Sequence, residues 1–434
     1  MFRLPASASI TCVVVFGVAA TVDSGCQKKV ATPADSRTAQ NAAVSRVLSL
    51  PYLTSRAILP GDEKKIGLVS SEPTRLSRGI TVLCSERTRD LRFIDLEGNL
   101  LHAIQLPTAN CLFGIGYDDD IIAVGHDGLA RLRWDSSVVW FNTEAHFHHD
   151  VTVDHKGDIH TLDWNPLEVS HRGTTTKVLD MEVVTLGSDG KIKARLSTFE
   201  ILRPLIPDSA LDSTVAYFKE GKGAKVDWNN PTDLLHLNTV IKVDDPYGPL
   251  HAGDFLLSAR HLDAIVAIDP VGKRIRWHYG KGFLEGPHHP SRVGDDGLLI
   301  FDNGRFRKHS RVLEIDLDDT DSDDDPADAV EWSYTGAPDF YSNSRSGAQK
   351  LPNDNLLITD SESGRIFEIT EEGDIVWDYW NPDIKKSRSG KPPERRMIYR
   401  AYRFTPNEIK SPGFLSLFHK GLTRAERIAN GAVK

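Results

Sequence analysis

The feature that most constrains this chain is a motif that returns six times: an apolar strand, an acidic or glycine turn, then a second strand. It runs through Leu91–Ile104 (LRFIDLEGNLLHAI), Gly128–Asn142 (GLARLRWDSSVVWFN), Glu182–Leu196 (EVVTLGSDGKIKARL) and Ala264–Gly280 (AIVAIDPVGKRIRWHYG). It returns in Arg311–Gly336, stretched by an acidic insert, and in Arg365–Pro382 (RIFEITEEGDIVWDYWNP). Each copy alternates apolar and polar residues, the pattern of a hairpin with one buried face. Trp140, Trp277, Trp332 and Trp377 hold the same place in four copies. Most copies lie roughly 40–55 residues apart, the spacing of a four-stranded propeller blade. The other half of a blade precedes three of them, as GDFLLSARHLD, DDGLLIFDNG and NDNLLITDSESG. The expected fold is all-β: a six-bladed β-propeller over residues 66–395. A short, partly helical insertion at about Thr198–Pro231 separates two blades, and a C-terminal tail over residues 396–434 ends in a short helix near Leu422–Ala432.

The N-terminus reads as processing sequence. Arg3, the apolar run Ile10–Val22 and the small residues after it have the shape of a secretory signal over residues 1–26, too short for a comfortable membrane span. Cys26 follows Ser24-Gly25, as in a bacterial lipoprotein cleavage site, although Asp23 stands where such sites carry an aliphatic residue. A plain secreted chain and one tethered to a membrane through Cys26 both remain open. Residues 27–65 read as a tether. The expected location is therefore periplasmic or at the cell surface, where a Cys84–Cys111 disulfide is permitted. Two separate buried cysteines are the alternative. The net charge of −9, with both signs interspersed, argues against a nucleic-acid partner.

The chemistry-bearing residues are histidines and one arginine. His149, His236 and His288 each precede an expected innermost blade strand, so three imidazoles from three blades converge on one axial pocket in this reading. Arg260, at the end of LLSAR, points toward the same channel. A guanidinium gives forked hydrogen bonds to oxyanions. A neutral imidazole can attack an electrophile or move a proton. Asn238 is expected to donate an amide hydrogen bond to developing charge. Two rival readings are kept. One is a propeller that binds a ligand or protein without catalysis. The other is a metal site built from His146, His148 and His149. No resident metal or cofactor is expected. The acidic run Asp316–Asp328 lacks the glycine of a calcium loop and reads as a solvated loop.

Several stretches, in this order and spacing, resemble the bacterial arylsulfotransferases, which use aryl sulfate esters rather than a nucleotide sulfate donor. They are HHD at His148–Asp150, HLNTV at His236–Val240, LLSARHLDAIVAID at Leu256–Asp269 and PHHPSRVGDDGLLIFDNG at Pro287–Gly304. GAQKLPNDNLLITDSESGRIFEITEEGDIVWDY and YRAYRF follow near the end. The resemblance implies a six-bladed propeller and a two-step transfer from an aryl sulfate donor to a phenolic acceptor through a sulfohistidine. It assigns His288 as nucleophile, Arg260 to the sulfate, His236 and His149 as assisting histidines and Asn238 as the amide beside them. His289 serves as nucleophile if the loop slips by one residue. Asp354 and the pair His289-Pro290 depart from the family pattern.

Overall fold

The computed structural model describes residues 54–108, 119–125, 128–220, 232–320, 325–336, 339–386, 392–405, 408 and 412–417. The expected signal, most of the tether, Cys26, Cys111 and the helix near Leu422–Ala432 lie outside them. Cys84 is one half of a disulfide.

The chain is all-β, built largely from four-stranded antiparallel sheets. Sheet B holds Ile121–Gly125, Gly128–Leu132 and Val138–Asn142. Sheet C holds Phe147–Val153, Ile159–His171, Thr174–Leu186 and Ile192–Leu196. Sheet D holds Leu237–Lys242, Phe255–Ala259, Ala264–Asp269 and Arg274–Tyr279. Sheet E holds His288–Val293, Gly297–Asp302, Arg311–Asp316 and Val330–Tyr334. Sheet F holds Gly347–Lys350, Leu356–Asp360, Arg365–Ile369 and Ile375–Trp380, with Gly67–Ser71 added at its outer edge. First strands of successive sheets from C to F are neighbours.

Sheet A joins strands far apart in the sequence. Ile398–Phe404 pairs with Ile80–Ser85, and Asp90–Ile94 and Leu100–Gln105 follow. Part of the expected tail is therefore the first strand of sheet A, buried along its whole length. Its sequence, IYRAYRF, hides this because two arginines look like surface residues, yet Arg400 and Arg403 are buried. The end of the expected tether also pairs, Ser55–Ala57 against Glu394–Arg396. The insertion contains helices Phe199–Leu202 and Asp208–Glu220, packed beside the long hairpin of sheet C.

The repeated tryptophans explain how the sheets are held in sequence. Each sits in the last strand of its repeated hairpin beside the same register shift, opposite Arg131, Ala267, Glu314 or Glu368. Each indole N–H then reaches the outer turn of the next sheet: Trp140 to Ser188 O, Trp277 to Thr320 Oγ1, Trp332 to Glu371 O and Trp377 to Leu96 O, at 2.7–2.9 Å. The apolar side of these strands fills the space between adjacent sheets. Leu256, Ile265 and Ala267 of sheet D meet Leu298, Ile300 and Leu313 of sheet E, for example. Burial of such faces is the main stabilising term.

Candidate active site

The first strands of sheets C, D, E and A all carry a bulge near their start, where extra residues leave the ladder. His149 and Asp150 are bulged in C, Asn238 in D, His289 and Pro290 in E, Tyr399 and Arg400 in A. Bulges re-aim side chains and gather beside active sites. His149, His236 and His289 also adopt left-handed backbone, with φ of 61°, 47° and 52°. That conformation is costly for non-glycine residues and marks a constrained site.

The histidines meet, though not from equivalent positions. His149 is a bulge residue, His236 lies one residue before its strand, and His288 is the last paired residue before its bulge. The rings of His149 and His236 lie 4.8 Å apart, and those of His236 and His261 4.6 Å. His148 touches Nδ1 of His149 through its own Nδ1 at 2.5 Å and stacks on Trp164 at 4.3 Å.

Each ring is oriented by a partner. Asp233 accepts both the main-chain N–H of His236, at 3.0 Å, and its Nδ1–H, at 2.6 Å. Burial pushes the Asp233 carboxyl up, but the charge and hydrogen bonds of His236 outweigh it and hold the group down at about 2. It is a carboxylate at any ordinary pH. His261 donates from Nδ1 to the Asp233 carbonyl at 2.6 Å, so its Nε2 accepts from Arg260 Nη1 at 3.0 Å. Arg260 also donates from Nη2 to the Asn343 carbonyl at 3.3 Å. Asn303 spends its amide N–H groups on the carbonyls of Ser342 and Arg345, leaving Oδ1 to accept from His288 Nδ1–H at 2.7 Å. The lone pair of His288 is therefore on Nε2, where the Arg345 main-chain N–H meets it at 3.2 Å. Burial holds His288 well below the ordinary histidine value, and the Arg260 guanidinium adds to this. Burial and neighbouring imidazoles do the same for His149. Both are neutral near pH 7.

Two expected residues stand differently. Asn238 donates to the Pro287 carbonyl at 2.9 Å, joined there by Ser258 Oγ at 2.8 Å. Its amide is thus tied to the loop that carries His288. The His289 ring turns aside: its Nε2 meets the Tyr402 hydroxyl, with ring centroids 5.4 Å apart. The sequence reading missed Asp233, His261, Asn303 and Arg345. A signal existed for two of them, since His261 adjoins Arg260 and Asp233 lies three residues before His236.

The metal reading loses its ligand set, because His146 is exposed while His148 and His149 are buried. Asp233, His236 and His261 do bring ligand atoms within 4.8 Å of one another. However, both His261 nitrogens are already bonded, one of them to the Arg260 cation. A positive charge at that place suits an anion.

A family model described as Arylsulfotransferase (ASST) matches residues 117–382, well over half of the chain. The chain belongs to the arylsulfotransferase family. His149, His236, Arg260 and His288 all fall inside the matched span, whereas the strand Ile398–Phe404 falls outside it. No curated protein matches the chain. Among solved structures, a protein of unknown function from Bacteroides caccae aligns at 10% identity over 76% of this chain and 99% of its own, with a TM-score of 0.46. A virginiamycin B lyase from Staphylococcus aureus aligns at 13% identity over 76% and 88%, with a TM-score of 0.39. Likenesses this distant carry no inference about activity.

Proposed function

We propose that this arylsulfotransferase moves a sulfuryl group from an aryl sulfate ester to a phenolic acceptor, with His288 as the covalent carrier, on a closed six-bladed propeller exported from the cytoplasm. The observation that carries the reading is the state of His288. It is a buried, neutral imidazole with its proton pinned on Nδ1 by Asn303, its lone pair on Nε2, and the Arg260 charge nearby.

In the first half-reaction His288 Nε2 attacks sulfur. The S–N bond forms, the S–O(aryl) bond breaks, and the departing phenolate oxygen takes a proton from His236. The Asp233 carboxylate on His236 Nδ1 supports this role as a carboxylate orients the histidine of a catalytic triad. In the second half the acceptor phenol attacks sulfur and returns its proton to His236, and the S–N electron pair goes back to Nε2. Like phosphoryl transfer, the reaction spreads charge over non-bridging oxygens, so fixed charge and positioning do most of the work. Arg260 supplies the charge. His149, neutral, supplies a hydrogen bond. Asn238 acts through Pro287 by fixing the strand that carries His288.

The test incubates folded protein with an aryl sulfate and a phenol, then maps any retained sulfuryl group by peptide mass spectrometry. Label on His288 together with phenol-dependent turnover supports the reading. A folded protein that binds the ester yet neither transfers nor retains the group favours a binding module instead.

A further inference from the structure

The two polar handles expected to receive the donor's sulfate are both held by one short segment. The Arg345 N–H meets Nε2 of His288 at 3.2 Å, and the Asn343 carbonyl takes the Arg260 Nη2–H at 3.3 Å. A bound sulfate ester must replace both contacts, because its sulfur needs the Nε2 lone pair and its oxygens need the guanidinium. What holds the segment therefore affects access to the nucleophile.

The segment is held under strain. Arg345 and Ser346 are both left-handed, with φ of 63° and 75°. Such backbone is costly for non-glycine residues and persists only where the surroundings over-determine it. Asn303 binds the Arg345 carbonyl at 3.0 Å, and Ser346 N–H bonds the Tyr399 carbonyl at 3.0 Å. The Arg345 guanidinium reaches across to sheet A, where Nε lies 3.0 Å from Glu86 Oε1. Both side chains are buried, Glu86 completely. Glu86 is itself anchored by its N–H on the Met397 carbonyl and by Arg396 Nη1 on its own carbonyl, at 3.0 and 2.9 Å. It lies outside the span that the family model matches.

We infer that Glu86 is a positioning residue for the nucleophile: its ion pair with Arg345 latches the Asn343–Arg345 segment over His288 and Arg260, and loosening the latch opens both to the donor. The inference rests on His288 being the nucleophile. Burial pushes Glu86 up to about 8, opposed by Arg345, Arg87 and Arg396 and reinforced by Glu362. The ion pair is therefore complete only above that pH. His288 stays neutral across the same range, so its own titration does not intrude.

The experiment reads His288 directly, without sulfate. Diethyl pyrocarbonate acylates an unprotonated imidazole, and fragment-ion mapping separates His288 from His289. In the wild-type chain, the rate at His288, corrected for reagent hydrolysis, is expected to fall as pH rises through about 8, by up to about tenfold, the weight of one hydrogen bond. Glu86→Gln mimics the protonated acid and is expected to hold the faster rate at every pH, with the donor KM losing its rise above pH 8. A wild-type rate without this inflection, or a folded Glu86→Gln chain that follows the wild-type profile, overturns the latch. The wild-type profile stands as the test if the variant does not fold. Should the pH profile and its loss in Glu86→Gln appear in a protein that transfers no sulfate, the transfer reading and the nucleophile role fail together, and only control of access to His288 by the Glu86–Arg345 pair stands. Should transfer proceed through His288 with a flat acylation profile, the latch fails alone.

Discussion

The starts of sheets C, D and E bring buried histidines to the site, whereas the segments leading sheets F and A bring arginines. On the first side His148, His149, His261 and His288 are held neutral chiefly by burial, and hydrogen bonds fix which nitrogen carries the proton. On the second side buried guanidiniums face carboxyls: Arg403 is paired with Glu368, Arg400 faces Asp150 at 3.7 Å, and Arg345 lies against Glu86, a pair completed only above about pH 8. Arg260 brings a guanidinium to the histidine side, bonded there to His261 Nε2. A group that bonds to sulfur or passes a proton must change state, which a neutral imidazole does cheaply. A buried charged pair is costly to disturb and serves better as scaffold. The comparison assigns chemistry to one side and shape to the other.

The sharpest way to break that division is to exchange roles within two neighbouring residues. His288→Ala is expected to lower turnover by about 10⁴-fold or more, the scale of losing a covalent nucleophile. His289→Ala removes a ring bonded to Tyr402 on the arginine side, so it should change stability while leaving most turnover intact. Steady-state kinetics on folded protein decides. Equal losses in the two variants would erase the boundary between the sides.

The arginine side should answer in stability instead. Glu368 and Arg403 are both fully buried, and Arg403 also bonds Thr81 Oγ1 at 3.1 Å and the Ser77 carbonyl at 3.3 Å. Glu368→Gln strands a buried guanidinium and is expected to cost about 3–5 kcal/mol in chemical denaturation. Turnover per folded molecule should stay near wild type. Replacing both partners by apolar residues should cost much less, since no unpaired charge remains.

Asp233 tests the histidine side by pH. Its carboxyl is held at about 2, below the ordinary 3.8, so it contributes stability that is complete above pH 3.8 and lost as pH falls toward 2. Asp233→Asn should flatten that acid limb. It should also lower turnover by about 10²-fold, because His236 loses the partner that orients it. An unchanged rate would move the proton-transfer role away from His236.

The repeated hairpins were legible in the sequence whereas the arginine side was not, and the difference has physical causes. The six hairpins and their tryptophans set the order of the sheets, because hydrophobic alternation and an indole staple are local signals. His149, His236 and His288 stand out in the sequence as residues preceding strands, yet His149 and His288 lie within theirs, and Arg260 follows the strand Phe255–Ala259. The strand Ile398–Phe404 was not, because its arginines are neutralised by Glu368 and Asp150, both remote in sequence. The destination of the Asn238 amide was hidden for the same reason: its partner, the Pro287 carbonyl, lies 49 residues away.

The smallest expected effect compares two turns. In sheet C the turn Asp154–Asp158 closes with Asp154 N–H on the Asp158 carbonyl and Gly157 N–H on the Asp154 carbonyl, at 3.0 and 2.9 Å. In sheet F the turn Leu351–Asn355 makes the same two bonds, at 2.8 and 3.0 Å, with Asp354 in the glycine's place. Gly157 has φ of 81° and Asp354 of 67°. Both turns demand left-handed backbone, which glycine adopts freely and aspartate at a modest cost. Asp354→Gly should therefore stabilise the protein by about 0.5 kcal/mol, the strain relieved less the extra freedom that glycine gives the unfolded chain. Gly157→Asp should destabilise it by about 1 kcal/mol. Denaturation midpoints of the two variants, at unchanged slope, measure both. If Asp354→Gly destabilises, the side chain at that turn stabilises the fold by more than the backbone strain costs, and the two turns are alike only in their hydrogen bonds.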